Sequence, residues 1–301
     1  MEINGRQIGG NNPCYIVAEA GVAHFGDIEK ALRLVDLAVG GGADAVKFQT
    51  YKTENFINPK SKDLFDKYKS KELRYSDFEV IKRYCDSKGI TFFSTPHDEE
   101  SLDFLLDLNV PVIKVGSGEV GNWEFIDKIA GSGRPVFLST GMYTEWQIYR
   151  AIGTFYESQL ALLHCVTSYP TLPDKSNLNA IRRFDGVISG YSDHTDSNFP
   201  CYLAVALGAK VIEKHISLYF DIPDAQDWKV SCDEAGLREL VAGIRGTEIL
   251  LGTGEIEPLT EQERIETRWA RKNPKTGLRP ENEDMCHHNN ERKLREAEVV
   301  N

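Results

Sequence analysis

The chain has 301 residues and a formal net charge of −11, with 41% hydrophobic and 27% charged residues. This composition is ordinary for a soluble globular enzyme, and the acidic balance argues against general nucleic-acid binding. No apolar run approaches the roughly 20 residues that span a bilayer, residues 1–6 lack the apolar core of a signal peptide, and the six cysteines include no CxxC pair. These features predict a cytoplasmic protein with reduced thiols, no structural zinc, and neither nucleic acid nor membrane as a partner.

The N-terminal segment predicts a β-hairpin around the Asn-Gly pair at residues 4–5, placed to plug the bottom of a barrel. Beyond it, eight strand-like apolar runs alternate with segments whose apolar residues recur at spacings of three and four. The predicted strands are residues 15–19, 44–49, 90–94, 111–116, 135–139, 161–166, 186–192 and 210–216. The predicted helices are residues 28–39, 78–87, 100–108, 123–129, 144–156, 199–207 and 233–251.

Alternating strands and helices predict an α/β protein with a parallel sheet and helices outside it. Eight units favour a closed (β/α)₈ TIM barrel, and the lack of a Gly-x-Gly-x-x-Gly after the first strand disfavours a dinucleotide fold. We expect one barrel domain over residues 1–272 and a polar tail over 273–301. Residues 50–76 are expected to form a loop or short helices over the barrel mouth, either as a lid or as a solvated insertion.

Polar side chains close most of the predicted strands, and the carboxyl ends of barrel strands form the active-site face. His194 and His215 end the last two strands. Two neighbouring imidazoles with nearby carboxylates suit Mn²⁺, Fe²⁺ or Zn²⁺, whereas either histidine alone would be a hydrogen-bonded wall residue. Glu19, Glu213 and Asp227 are candidates for further ligands or for groups that orient the imidazoles.

Two lysines, Lys47 and Lys114, lie inside predicted strands. A lysine directed at a core is disfavoured unless it is paired, but near a barrel mouth it can bind a phosphate or carboxylate, or form a Schiff base. Two lysines together favour an anion site. Ser117, Ser139 and Ser192 add hydroxyls and backbone N–H groups suited to phosphate oxygens, with helix capping as the alternative for each.

Two glutamates, Glu19 and Glu119, also end predicted strands. A carboxylate in a partly dry pocket can transfer a proton or bind a substrate hydroxyl, and pairing with one of the lysines is a compatible alternative. Gln49 and Tyr169 are expected to hydrogen-bond a substrate.

Four other residues receive structural interpretations. His24 and His97 are expected at the edge of the pocket, and His164 is expected to be structural. Cys165 ends an apolar run and could approach a pocket, but it is expected to be a small buried core residue.

Taken together, these segments resemble the N-acetylneuraminate (sialic acid) synthase family. The resemblance runs in order over about residues 3–272. The matching segments are IVAEAG (16–21), ADAVKFQT (43–50), FFSTP (92–96), IKVGSGE (113–119), LSTGM (138–142), LHC (163–165), GYSDHT (190–195) and AVALGAKVIEKH (204–215). The resemblance implies a (β/α)₈ barrel enzyme, a transferase that forms a C–C bond between phosphoenolpyruvate and an N-acyl hexose such as N-acetylmannosamine. The products would be phosphate and a nonulosonic acid.

The resemblance also implies roles for individual residues. The implied phosphoenolpyruvate-binding residues are Lys47, Thr95, Lys114, Ser117, Ser139 and Ser192. The implied sugar-binding residues are Glu19, Gln49, Tyr169 and Asp227. His194 and His215 resemble the ligands of Mn²⁺ or Mg²⁺. Glu119 resembles the proposed acid/base near the reacting carbons, with Glu19 as the second catalytic candidate.

The sequence departs from the family pattern in three places. Ala23 stands where the family often has an asparagine that contacts the sugar, and Thr167 stands where an asparagine usually contacts phosphoenolpyruvate. Family members usually carry a C-terminal antifreeze-like domain, from which a partner subunit supplies an arginine to the N-acyl group. The tail over 273–301 is shorter than the roughly 40 residues that an unassisted domain needs. We therefore expect that domain to be absent, with a homo-oligomer or a separate partner chain in its place.

Three alternatives remain open. A related synthase would use another sugar, for example a legionaminic or pseudaminic acid precursor. An aldolase would form a Schiff base on Lys47 or Lys114 and use free pyruvate. A barrel that had lost its second domain would be a non-catalytic binding subunit, although the retained histidine pair and both lysines argue against it.

Overall fold

The computed structural model describes residues 1–155, 159–184, 186–222, 227–256, 260–261, 270 and 272–279. A two-stranded hairpin, β1 (Glu2–Ile3) and β2 (Arg6–Gln7), precedes eight longer strands. These are β3 (Tyr15–Gly21), β4 (Ala45–Thr50), β5 (Thr91–Pro96), β6 (Ile113–Val115), β7 (Val136–Ser139), β8 (Leu160–Cys165), β9 (Ile188–Asp193) and β10 (Val211–His215). They close into a parallel barrel in the order β10-β3-β4-β5-β6-β7-β8-β9. The predicted (β/α)₈ barrel is therefore confirmed.

The helices also follow the sequence pattern. They are α1 (Ile28–Gly41), α2 (Thr53–Phe56), α3 (Lys62–Lys69), α4 (Tyr75–Lys88), α5 (Glu99–Asp107), α6 (Trp123–Gly131), α7 (Glu145–Thr154), α8 (Phe199–Ala206) and α9 (Glu234–Leu251). The largest difference from the predicted starts is in α4, which begins three residues earlier than Phe78. A capping box explains the earlier start, because the backbone N–H of Arg74 donates to the Asp77 carboxylate at 3.0 Å.

Inward-facing residues of the barrel change from apolar to polar along every strand except β8, whose last inward residue is Cys165. Alternate residues of a strand point to the same face. The lower inward positions form an apolar cluster that includes Val17, Phe93, Phe137 and Val211, whereas the last inward positions of the other strands are polar. Outward-facing residues such as Phe48 pack instead in the layer between barrel and helices. The same two-residue period therefore places apolar side chains in the barrel floor and polar side chains at its mouth.

The N-terminal hairpin closes the lower end of the barrel, as predicted. Asn4 and Gly5 have positive φ angles of 48° and 78°, which fits the two-residue turn that an Asn-Gly pair favours. Ile3 and Ile8 are buried in the same apolar cluster as the strand starts. An ion pair between Arg6 and Asp44 ties the hairpin to the segment before β4.

No helix within the described ranges is long and apolar enough to cross a membrane. By residue contacts the chain divides into a unit of Met1–Leu251 and a unit of Gly252–Asn301. In the second unit the described residues include a turn in which the Gly277 N–H donates to the Asn273 carbonyl at 2.8 Å. The predicted division into a domain at 1–272 and a tail at 273–301 stays a prediction, because most of residues 257–301 lie outside the described ranges.

Candidate active site

A cavity of about 270 Å³ opens at the carboxyl ends of the barrel strands. All but one of the predicted site residues contribute to its wall. They are Glu19, Lys47, Gln49, Thr95, Lys114, Ser117, Ser139, Tyr169, Ser192, His194, His215 and Asp227. The strand ends therefore converge on one site, as the barrel geometry requires.

Lys47 is the centre of a buried cluster of charges. Its ammonium lies 2.8 Å from Oε2 of Glu19 and 3.6 Å from Oε1 of Glu213. It also donates a hydrogen bond to Oγ1 of Thr95 at 3.2 Å. Gln49 donates to the other oxygen of Glu19 at 3.3 Å. Side chains from β3, β4, β5 and β10 thus hold this one ammonium in place.

The buried charges shift one another's pKa. Burial, with a contribution from Glu213, raises the pKa of Glu19 to about 7 although Lys47 opposes the shift. Burial disfavours the charged form of Lys47, but Glu19 and Glu213 outweigh burial and raise the pKa of the lysine. Burial also disfavours the charged form of Glu213, yet Lys114 and Lys47 hold its pKa below the usual range. Lys47 is therefore held in its charged form, and the protonated form is more favoured for Glu19 than for Glu213.

Lys114 is the second buried lysine, and its direct partners are uncharged. Its Nζ donates to Oγ of Ser139 at 2.7 Å and to the Val115 carbonyl at 3.0 Å. Burial is the main cause that lowers its pKa, and Lys47 adds to the effect while Glu213 opposes it. Among the described residues no carboxylate lies within ion-pair distance of Lys114. An anion in the cavity would supply that counter-charge.

The hydroxyl groups complete a site suited to an anion. Thr95 and Ser139 already accept hydrogen bonds from the two lysines, and Ser192 donates to Oε1 of Glu213 at 3.0 Å. We call Lys47, Lys114, Thr95, Ser139 and Ser192 the lysine–hydroxyl cluster. Preorganised ammonium and hydroxyl groups in a partly dry cavity bind phosphate and carboxylate oxygens well.

His194 and His215 lie together at the ends of the last two strands. Their ring centroids are 5.4 Å apart, and the ring of Tyr169 packs on His194 at a centroid distance of 4.0 Å, with the planes inclined by 31°. The Nδ1 atom of His194 lies 2.8 Å from the Val166 carbonyl. A carbonyl only accepts, so Nδ1 carries a proton, and in the neutral ring Nε2 would keep the lone pair that a metal ion needs.

The donor set fits a divalent metal ion in part. Burial, reinforced by His194 and the nearby lysines, holds the pKa of His215 well below its usual range, so that ring is neutral and able to ligate. Its Nδ1 is 4.0 Å from the carboxylate of Asp227. Within the described residues, however, no group of three or more His, Cys, Asp or Glu has the arrangement of a metal site. Further ligands would have to be oxygens of substrate or water, and the metal assignment to His194 and His215 stays a prediction.

Glu119 is the one predicted site residue that the structure does not bring to the cavity wall. It ends a 3₁₀ turn, Ser117–Glu119, and its carboxylate accepts a hydrogen bond from Asn122 at 2.8 Å. Burial raises its pKa. The turn brings Ser117 and Gly118 to the wall and leaves Glu119 behind them. Its expected role near the reacting carbons stays a prediction.

Cys165 is buried, as predicted, but it lines the cavity instead of the core alone. Its sulfur lies 3.6 Å from Oγ of Ser117 and 3.6 Å from Nδ1 of His194. The strand period contains the signal for this position, since Cys165 ends β8 two residues beyond the inward-facing Leu163.

The segment over residues 50–76 contributes to the cavity through two short helices, which supports the lid interpretation. Phe56 of α2 and Tyr68 of α3 line the cavity beside His97. Neither aromatic residue is predictable from the sequence, because a polar segment gives no periodic signal for the few side chains that turn inward.

Behind the imidazoles lies a buried ion pair that faces the helices. The ammonium of Lys214 is 2.6 Å from the carboxylate of Asp193, and it also donates to the carbonyls of Thr195 and Ser197 at 2.7 and 3.2 Å. Each member of the pair is next in sequence to one of the two histidines. The pair therefore fixes the end of β9, the loop after His194 and the end of β10 together.

Comparison with known proteins agrees with this geometry. The model of the NeuB family matches residues 34–256. The chain belongs to the NeuB family. The resemblance drawn from the sequence is thereby confirmed, as is the prediction of an enzyme related to sialic acid synthases.

Individual relatives cover most of the chain. An uncharacterized protein from Methanocaldococcus jannaschii is 40% identical over 87% of this chain and 79% of its own length. The N,N'-diacetyllegionaminic acid synthase of Legionella pneumophila is 37% identical over 85% of this chain and 79% of its own. The crystal structure of N-acetylneuraminic acid (sialic acid) synthetase from Leptospira borgpetersenii, in complex with citrate, is 36% identical with a TM-score of 0.84. That match covers 90% of this chain and 98% of the solved one.

Replacing Lys214 with Met is expected to lower the free energy of unfolding by about 3–5 kcal/mol, because it leaves the buried Asp193 carboxylate without its counter-charge. Urea denaturation measures the loss. Lys128→Met is the matched control, since Lys128 pairs on the surface with Glu99 and Asp103 and such pairs contribute little. Equal losses in the two variants would contradict the structural role given to Lys214.

Proposed function

We propose that the protein condenses phosphoenolpyruvate with an open-chain N-acyl hexose of the N-acetylmannosamine type, giving a nonulosonic acid and phosphate. The observation that carries this proposal is the lysine–hydroxyl cluster, which shares one cavity with the imidazoles of His194 and His215. One part suits an anionic substrate and the other suits a polarised carbonyl. The family membership supports the same reaction class.

In the proposed reaction the lysine–hydroxyl cluster binds the phosphate and carboxylate of phosphoenolpyruvate. Lys114 pairs with an incoming anion most directly, because it has no carboxylate partner of its own among the described residues. Lys47 is held by Glu19 and Glu213 and presents a fixed charge. Binding at both anionic ends orients the enol carbon toward the acceptor, which reduces the entropic cost of the bimolecular step.

The bond changes balance without a further reactant other than water. The enol carbon attacks the aldehyde carbon of the acceptor, and the aldehyde oxygen takes up a proton and becomes a hydroxyl. Water adds to the resulting cationic carbon and releases a proton, after which the C–O bond to phosphate breaks and a ketone remains. Glu19 is our first choice for the proton transfers, since it lies in the cavity, and Glu119 is the second.

His194 and His215 would hold Mn²⁺ or Mg²⁺, with Asp227 near the second imidazole. When bound, the ion supplies Lewis-acid polarisation of the acceptor's carbonyl. Gln49, Tyr169 and Glu19 would orient the acceptor by hydrogen bonds. These residues share the cavity with the two imidazoles, and the ring of Tyr169 packs against both of them.

The alternative acceptor is a precursor of a legionaminic or pseudaminic acid. The 37% identity to the Legionella pneumophila enzyme supports the first of these. We also propose that a second copy of the chain or a separate protein contacts the N-acyl end of the acceptor, because Tyr169 at the cavity is 43% exposed. Phosphoenolpyruvate is a cytoplasmic metabolite, so the proposed reaction implies a cytoplasmic protein.

Phosphate release with phosphoenolpyruvate, Mn²⁺ and a panel of N-acyl hexoses tests the function. We expect release only when both substrates are present, with one acceptor clearly preferred. Turnover with free pyruvate, together with a borohydride-trapped adduct on Lys47 or Lys114, would favour the Schiff-base aldolase. Phosphoenolpyruvate binding without turnover on any acceptor would favour a non-catalytic subunit.

Lys114→Met is expected to raise the Michaelis constant for phosphoenolpyruvate by about 10- to 100-fold, the worth of a hydrogen bond to a charged group. The constant for the acceptor should change much less. Lys210→Met is the matched control, because Lys210 precedes β10 at the other end of the barrel and donates to the Asn12 carbonyl at 3.2 Å. An unchanged constant for phosphoenolpyruvate in Lys114→Met would contradict the anion site.

His215→Ala is expected to abolish Mn²⁺ binding, measured by electron paramagnetic resonance, and with it metal-dependent turnover. The fold should persist, because strand-end residues serve the site more than the core. His164→Ala provides the comparison. The imidazole of His164 is buried outside the cavity, and its Nε2 lies 2.8 Å from the Ser176 carbonyl oxygen. This variant should have lower thermal stability yet bind Mn²⁺ normally. Undiminished Mn²⁺ binding in His215→Ala would refute the ligand assignment.

A further inference from the structure

His97 is a cavity residue for which the proposed reaction has not yet given a role. It follows β5 directly, and its backbone N–H donates to the Thr50 carbonyl at 3.0 Å, which fixes the start of the side chain. Its ring stacks on Phe56 of the lid helix α2, with centroids 4.3 Å apart and planes inclined by 25°. The imidazole is therefore held between the barrel and the lid, at the edge of the cavity.

One nitrogen of the half-buried His97 ring lacks the hydrogen bond that a buried polar atom requires. Its Nε2 atom is buried and has no partner among the described residues. Burying an unpaired polar group costs free energy, so such an atom marks a position at which a partner is missing. Four aromatic groups meet here, since Tyr51 and Tyr68 also pack around Phe56, and none of them supplies that partner.

The charges around His97 identify the kind of partner. Burial, reinforced by the ammonium groups of Lys47 and Lys114, lowers the pKa of His97 to about 3. The ring is therefore neutral and presents one N–H donor and one acceptor. Both lysines act on it, so it lies beside the part of the cavity where an anion is favoured. A phosphate oxygen accepts hydrogen bonds, carries the charge that both lysines attract and needs additional donors.

We infer that His97 is a further binding residue for the phosphoryl group of phosphoenolpyruvate, to which its imidazole N–H donates beside Lys47 and Lys114. This inference rests on the proposed function. The stack on Phe56 links the same ring to the lid, so occupancy by the phosphoryl group and the position of α2 depend on one side chain. The competing interpretation is that His97 serves only as an aromatic packing partner of Phe56.

Substituting Phe for His97 separates these two roles, because Phe keeps the aromatic stack and removes both nitrogens. Calorimetric titration of the whole protein with phosphoenolpyruvate, without acceptor, gives the dissociation constant. We expect His97→Phe to weaken binding about 10-fold or more, as for loss of a hydrogen bond to a charged group. His97→Gln or His97→Asn should recover most of the affinity, since an amide N–H replaces one of the ring nitrogens. Thermal melting checks that each variant is folded, and His97→Met replaces the Phe variant if that one does not fold.

Titration with inorganic phosphate and with pyruvate locates the contact. Loss of phosphate affinity in His97→Phe with pyruvate affinity unchanged supports the inference. The inference would be overturned if His97→Phe bound phosphoenolpyruvate and phosphate as tightly as the wild type does, or if it lost affinity for pyruvate alone. Either result would leave the proposed function intact. A wild-type protein that binds neither phosphoenolpyruvate nor phosphate would refute both the inference and the proposed function. If the wild-type protein binds phosphate but not phosphoenolpyruvate, only the proposed function is refuted. The phosphate affinities of wild type and His97→Phe then still decide whether His97 binds a phosphoryl group.

Discussion

The buried pairing of Lys47 with Glu19 and Glu213 is the interaction on which the site depends. Three charges removed from water cost stability, and their mutual attraction repays that cost only when the geometry is well fixed. The barrel supplies the geometry, because Glu19 and Lys47 are register partners on β3 and β4, and Glu213 projects from the adjacent strand β10 one inward position lower. An apolar layer below them and the N-terminal hairpin beneath that layer keep water out of the floor. The rigid charges are thus a product of the whole fold.

Strand periodicity explains why so much was predictable from the sequence. An inward residue recurs at every second position, so the last inward side chain of each strand must reach the mouth. That rule alone brings Glu19, Lys114, Ser192 and His215 into one cavity, and the apolar runs locate the strands to within two residues at each end. Short local patterns in the sequence are therefore enough to predict the fold and most of the residues that line the site.

Other features depend on contacts that no local pattern encodes. Glu119 follows its strand in a 3₁₀ turn, and the direction of its carboxylate is set by Asn122. The inward turn of Phe56 depends on its stack with His97, a residue more than forty positions away. Cys165 is an exception, because the period of β8 does place it at the mouth, while its small apolar side chain would also fit the core. Side chains in loops thus escape prediction, since tertiary neighbours decide where they point.

Closure of the sheet brings the two halves of the site together. In the strand order, β6 with Lys114 and β10 with His215 are four strands apart among eight, which is the greatest separation that the barrel allows. In a flat sheet that separation would be about 19 Å, at roughly 4.8 Å per strand, too far for one small substrate pair. In the closed barrel they face each other across the mouth, and Lys114 acts strongly enough on Glu213 of β10 to help hold its pKa down. An anion bound on the β6 side and a carbonyl held on the β10 side would then meet over Lys47, which is the arrangement that joining them requires.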